Sequence, residues 1–559
     1  MMINQARTPV FRATRDHSTS CSLPVLRVAT QLVSVTVILL SVATCAPSPS
    51  ATPDAGAPIT TDAGGGLPVA TCPDWRAPPA LGVLDAKVDP PTAQRIANWR
   101  KATRRENWLE QLDPALVRSS LRLEQVQLDR GCVNLDQAVD VGRGLFLRRF
   151  TRTDGWGDQD AQLRRVQSGE AGGPDAFSCQ DCHWKGGAAG SGDRVDNTYM
   201  LGDGDDVTSA DVRNPPALWG AGWRELVAAE ISAELQRIAA DALARAAQGG
   251  EPVRVELRSK GIYFGEVEAF LDSAGAPQLD TSSLYLVDPD LVVKPFGWKG
   301  NFPTLREFIG ESLQVHMGLQ AEERMVHHAS STGASNPTNV DADNDGVSRE
   351  ITEGELSALT LYVATLDAPP LAAPDEGVYR EPVFYSTHFE FIHTPEAAAR
   401  WQKGFSLFQR IGCTRCHVPY LPLNNPVYEM EAPLSGTRLA VDLASQGAKP
   451  VPEQDEQGRY LVAAFSDFRR HDMGPALSAR YAERGVSASV WLTRPLWGLA
   501  MTSPYLHTGE AMIFDDALAL HGGEAELAAN NYRLLREQDR ESIRFFLASL
   551  ARAPMMRIR

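Results

Sequence analysis

Two stretches of this 559-residue chain place reactive residue types at a spacing that only a few chemistries require. FSCQDCHWKGG (177–187) and RIGCTRCHVPY (410–420) each set two cysteines three apart with a histidine directly after. A redox dithiol needs no following histidine, and a structural zinc site needs four ligands at other spacings. Covalent haem uses every residue of the pattern: two thiols add to two vinyl groups, and the adjacent imidazole falls beneath the iron. In this composition C-x-x-C-H has an expected chance count of roughly two in a thousand. Two copies therefore imply two c-type haems, on Cys179, Cys182 and His183, and on Cys413, Cys416 and His417.

The segments that must position these motifs repeat. GRGLFLRRF (142–150) precedes the first motif and KGFSLFQRIG (403–412) the second. NPPALWGAGW (214–223) follows the first, and TRPLWGLAM (493–501) follows the second. ELSALTLYVATL (355–366) and ESIRFFLASL (541–550) close each copy with apolar residues at helical spacing before a stop. TLREFIGESLQVHMG (304–318) and IFDDALALHGG (513–523) form a weaker pair, each an amphipathic helix ending in His with Gly two residues on. The expected fold is mainly α: two tandem cytochrome c-like haem domains with long loops, 135–368 and 386–559, packed face to face. A Pro- and Ala-rich linker, 369–385, joins them, and an N-terminal extension, 72–134, precedes them.

Before that extension the chain reads as targeting sequence. Arg7, Arg12, Arg15 and Arg27 lead into the apolar run 32–44, too short for a comfortable membrane span and suited to a signal-peptide core. Val42-Ala43-Thr44-Cys45 resembles a lipoprotein box; plain signal cleavage and a retained anchor are the alternatives. Residues 46–71, rich in Ala, Pro, Gly, Ser, Thr and Asp, cannot bury a core and read as a disordered tether. The expected location is the periplasm or cell envelope, with a lipid on Cys45 as the membrane contact. Cys72 and Cys132 then most simply form a disulfide. The net charge of -16 argues against nucleic acid as a partner.

DADNDGVSREIT (341–352) carries Asp at positions one, three and five and Gly at six of an EF-hand-like loop. Asp341, Asp343 and Asp345 with a later glutamate, Glu350 or Glu353, make a candidate calcium site, the alternative being a solvated acidic turn.

DAFSCQDCH, NPPALWGAGWRELV, PDLVVKPFGWKGNFPTL, DADNDGVSREIT, FSDFRRHDMGPAL and RPLWGLAMTSPYLHTGEA with HGGEA occur in order across roughly residues 135–555. In them the chain resembles the bacterial di-haem oxidoreductase family, the thiol oxidoreductase-like, peroxidase-like proteins related to di-haem cytochrome c peroxidases. The resemblance implies peroxide reduction at the haem on His183, with electrons from a small cytochrome or cupredoxin relayed through the haem on His417. It maps the peroxidase glutamate segment onto TLREF, making Glu307 the candidate catalytic acid–base. Where those enzymes carry a methionine ligand this chain has Val490, so Met473 of HDMG becomes the candidate sixth ligand, with His471 and His521 as alternatives. His316 reads as a distal base, a sixth ligand or a core histidine. Arg213 with Asn214, and Arg494, are candidate propionate contacts. Trp184, Trp219, Trp298 and Trp497 would pack on porphyrin or carry an electron. Competing functions are electron transfer without substrate chemistry, oxidation of a protein or thiol partner, and a di-haem oxygenase sharing PYLH-x-G at 504–509.

Overall fold

The computed structural model describes residues 122–157, 174–201, 207–332, 341–343, 345–369, 379–380, 391–392 and 395–552. The targeting segment, the tether, Cys45, Cys72 and most of the extension and linker lie outside them. Cys132 is disulfide-bonded, whereas its expected partner, Cys72, falls among the residues not described.

Three helices frame the first motif: α1 (Gln125–Asp129), α2 (Leu135–Leu147) and the single turn α3 (Cys179–Cys182). α2 begins where Asn134 and Gln137 cap each other's backbone N–H, and it buries Ala138, Val141, Leu145 and Phe146. A short ladder of β1 (Thr198–Met200) and β2 (Asp211–Arg213) leads to the long α4 (Ala221–Gly249). α4 packs on an antiparallel sheet of β3 (Val253–Ser259), β4 (Ile262–Leu271) and β5 (Pro277–Asp280). α5 (Leu305–Met317), α6 (Glu322–Thr332) and α7 (Glu353–Ala364) follow. Every residue of α7 is buried, which is why its sequence shows no polar stripe.

The rest of the chain runs through β6 (Tyr379–Arg380), β7 (Phe391–Ile392) and α8 (Pro395–Arg410) into short antiparallel ladders. β8 (Leu421–Leu423) pairs with β11 (Tyr460–Val462), β9 (Val427–Ala432) with β10 (Thr437–Asp442), and β12 (Arg470–Asp472) with β13 (Val490–Leu492). α9 (Phe514–Leu520), α10 (Glu526–Arg533) and α11 (Glu537–Ser549) close the fold.

The mainly-α expectation of two tandem cytochrome c-like domains does not hold. The described residues are 39% helix and 17% strand, with several small sheets. Its main hydrophobic core runs from Leu123 through α2, α4 and α7 and continues into Leu421, Tyr428, Val441, Val462 and Trp497. The physical reason is α7: buried all round, it needs cover on every side, and the ladders of the second half supply part of it.

What does recur is the immediate setting of each motif. A Cβ on Gly142 of α2 would fall inside the Ala358 carbonyl of α7, and one on Gly404 of α8 inside the Ser542 carbonyl of α11. Both helix pairs therefore cross at a glycine. The two Leu-Trp-Gly segments pack reciprocally: Gly220 lies under the Trp497 ring and Gly498 under the Trp219 ring, at φ 67° and 65°. Any side chain there would meet both left-handed strain and an indole.

Candidate functional site

Ser178 caps α3 by accepting the Asp181 N–H, and the turn sets Cys179 and Cys182 on one side with His183 following. His183 Nδ1 donates to the Gly190 carbonyl at 3.1 Å, and Phe146 of α2 lies 6.3 Å from its ring. The second motif repeats this arrangement. A 3-10 turn spans Cys413–Arg415, His417 Nδ1 donates to the Phe465 carbonyl at 2.9 Å, and Phe408 of α8 lies 6.3 Å away. Burial holds both imidazoles down at about 4, so each is neutral at pH 7 with Nε2 available as a ligand.

None of the four motif cysteines is in a disulfide. Burial, with the charge of Asp181 behind it, pushes Cys179 up to about 12, and burial does the same to Cys413. A working redox dithiol needs the opposite shift.

Each motif floors a cavity. The first, ≈ 450 Å³, is walled by Phe302, Leu305, Ile309, Leu313, Leu359 and Val363. The second, ≈ 330 Å³, is walled by Leu496, Leu499, Phe514 and Leu518. Asn214, Pro215, Pro216 and Trp298 line both, so one thin wall separates them. Asn214 pins that wall: its N–H donates to the His507 carbonyl, its Nδ2 to Asn197 and Asp193, and its carbonyl accepts Trp298 Nε1 at 2.9 Å.

The donor set fits haem. Arg224, 3% exposed, lines the second cavity and its Nε has no hydrogen-bond partner. Burial, then the nearby Arg494, drives its pKa well down, and burial alone brings Arg494 to about 10. Buried Arg224 and half-buried Arg494 together make this apolar cavity favourable to an anion, and propionates would supply it.

The predicted residues sort clearly. Arg213 lines the first cavity, but its guanidinium is engaged by Glu483 at 3.2 Å. Trp184 lies at the surface, donating to Asp196. Trp219 and Trp497 line the second cavity. Glu307 is exposed on α5 and is not brought to either cavity. His316, nine residues on and therefore about half a turn round the same helix, lines the first cavity. Its Nδ1 meets the buried Asp175 carboxylate at 3.1 Å, and its charge acts on His183. The Met473 side of the second cavity also holds His521, whose Nδ1 donates to the Ala517 carbonyl at 2.7 Å and whose charge acts on His417. Both ring nitrogens of His471 are engaged, by Asp467 at 2.9 Å and Glu524 at 3.0 Å, which leaves no nitrogen for iron. Asp341, Asp343 and Asp345 bring carboxylate oxygens within 4.8 Å of one another.

Residues 369–550, which carry the second motif and its closing helix, match the family described as "Di-haem oxidoreductase, putative peroxidase". The match covers about a third of the chain and is a likeness of that segment to the family. No curated protein matches the chain. Among solved structures the chain is similar to "Kuenenia stuttgartiensis Hydrazine Synthase Pressurized with 20 bar Xenon". The identity is 15% and the TM-score 0.19, over 35% of this chain and 55% of that chain. The match thus spans about half of that chain's length, and at this score it bears on neither fold nor function.

Sequence reasoning missed Arg224 and the Asp175 partner of His316. Both lie within quoted stretches, NPPALWGAGWRELV and DAFSCQDCH, but nothing in their type or spacing marks them; tertiary contacts alone set Arg224 on the second cavity and Asp175 against His316.

Proposed function

We propose that the chain is an exported di-haem c-type oxidoreductase that reduces peroxide in the His183 cavity with electrons relayed from the His417 cavity. The observation behind this reading is the pair of motif-floored cavities sharing the Asn214–Pro216 wall and Trp298, with the His316–Asp175 pair in the first. Attached through the two cysteine pairs, the haems supply the redox chemistry. The residues of the chain orient and protonate. His183 and His417 would hold the haems through Nε2, since carbonyls hold their Nδ1–H. Arg224 and Arg494 hold propionates, and Trp298 sets an indole between the cavities.

His316, oriented by Asp175, takes a proton from peroxide at Nε2 and returns it to the departing oxygen. Each peroxide consumes two electrons and two protons and leaves as two waters. His521 would hold the second haem better than Met473, because its Nδ1–H is fixed by a carbonyl as in the two motif histidines, leaving Nε2 free to ligate. A small redox protein of cytochrome c or cupredoxin type supplies electrons in the periplasm or cell envelope, where a lipid on Cys45 tethers the chain.

Electron transfer without substrate chemistry has one observation in its favour. The same His316 lies close enough to His183 for its charge to act there, as a sixth ligand would.

Peroxide consumption by the full chain, driven by a reduced small cytochrome, separates the readings. His316→Ala should cut turnover by about 100-fold or more with haem absorbance per chain unchanged. Glu307→Gln, on the opposite helix face, should leave turnover at the parental rate. Parental turnover in His316→Ala, or no turnover in the parent, rejects the proposal.

A further inference from the structure

We propose that the rim of the second cavity is a docking face for a small redox protein whose own surface is acidic. The inference rests on the reading that the His417 site takes in electrons. It adds where the donor sits and which charge the donor carries.

Four of the residues lining the second cavity are exposed: Arg410, Arg415, Glu524 and Leu527. They mark where that cavity meets the surface. Asn531 of α10 donates to the Ile411 carbonyl at 3.2 Å, which ties α10 to the chain entering the Cys413 turn. Leu527 is 56% exposed, and Leu534, two helical turns on at the end of α10, is 84% exposed. The two leucines make an apolar spot open to solvent beside the cavity mouth.

Around that spot the charge is positive. Segments 410–415 and 524–540 carry Arg410, Arg415, Arg533 and Arg536, all exposed. None of the four is in an ion pair among the described residues; Arg533 donates to the Asn530 side chain and the Ala519 carbonyl. The acids of the same segments are mostly taken. Glu524 meets His471 and Tyr285, Glu537 pairs with Arg540, and Asp539 pairs with Lys403 at 2.6 Å. The charges of Arg536 and Arg410 both act on Asp539, which places these two arginines near one carboxylate. Glu526 is left as the uncompensated acid against four guanidiniums.

The whole chain carries a net charge of -16, so an acidic partner is repelled by the molecule at large and drawn to this rim. A basic partner would be drawn elsewhere and meet like charge here. The first cavity offers no such face: its exposed lining residues are Leu201, Ala482 and Arg484, and Arg484 pairs with Glu311 at 2.6 Å. A small apolar centre rimmed by charge suits a transient redox encounter. One electron passes per encounter, from the reduced donor to a ferric haem, and the oxidised donor leaves.

The test uses the full haem-loaded chain, without peroxide, and two probes: one acidic and one basic cupredoxin. Oxidised probes are titrated calorimetrically into the oxidised chain. Reduced probes are then mixed with it while haem absorbance is followed. The acidic probe should bind more tightly and reduce haem faster, and its rate should fall as salt rises. Arg410→Glu combined with Arg536→Glu should slow that rate by about tenfold or more at low salt. No binding of the acidic probe, preference for the basic one, a rate indifferent to salt, or a parental rate in the double variant overturns the proposal. Should the variant fail to load haem, probe preference and salt dependence in the parent decide it. With no peroxide present, the result stands or falls separately from peroxide turnover.

Discussion

Glu225, 9% exposed, accepts the Leu305 N–H at 2.7 Å and the Tyr428 hydroxyl at 3.1 Å. Burial first, then the charge of Glu307, pushes its carboxyl up to about 7. The folded state thus holds a proton that the unfolded state gives up near pH 4.5, so stability falls as pH rises from there towards 7. The size is about 3 kcal/mol at 1.36 kcal/mol per unit. Glu225→Gln keeps an acceptor oxygen and removes the ionisation. Urea unfolding at pH 5 and pH 8 should show the parent losing stability and the variant losing markedly less; equal losses would contradict this assignment. At this scale the two C-x-x-C-H motifs were legible, because the covalent haem proposed for them would dictate both residue type and spacing. The proposed acid–base was less so: the resemblance pointed to Glu307, and His316 stood among open readings. Glu307 and His316 share one helix, and only its rotation, set by packing against α7, decides which of them faces the cavity.

α2 with α7, and α8 with α11, are built alike around a glycine that lets two backbones touch. Gly404→Ala inserts a methyl against the Ser542 carbonyl and the Phe546 side chain, an overpacking that should cost about 1–3 kcal/mol in thermal or urea unfolding. An unchanged midpoint would mean the crossing has slack. These helices were readable from apolar spacing. The strands were missed although their signal was present: VRVELRSKGIYFGEVEAF alternates apolar and polar residues on both sides of Lys260-Gly261, which turn at φ 48° and 81°. In the second half β9 alternates too, burying Tyr428, Met430 and Ala432 between Glu429 and Glu431, whereas the three-residue strands β8, β11, β12 and β13 are too short to carry a period. β8, β9 and β11 gain cover from α4.

Across the whole molecule the settings of the two motifs recur, within one core that runs through both halves of the described residues. Reciprocal Trp219–Gly498 and Trp497–Gly220 contacts, one core running through both halves, and a wall common to both cavities fix the two haem sites relative to each other. Linear order along the chain hid this, since the segments that build the shared wall, 214–216 and 298, lie about 200 residues or more from the histidine segment at 507 that pins it. The central claim is that these two sites differ, one relaying electrons and one meeting substrate. Electron paramagnetic resonance of the fully oxidised and half-reduced chain, before and after peroxide, tests it most directly. The account predicts one low-spin haem and one high-spin, five-coordinate haem in the half-reduced state, the latter consumed on adding peroxide. Two low-spin irons in every state, inert to peroxide, would contradict it.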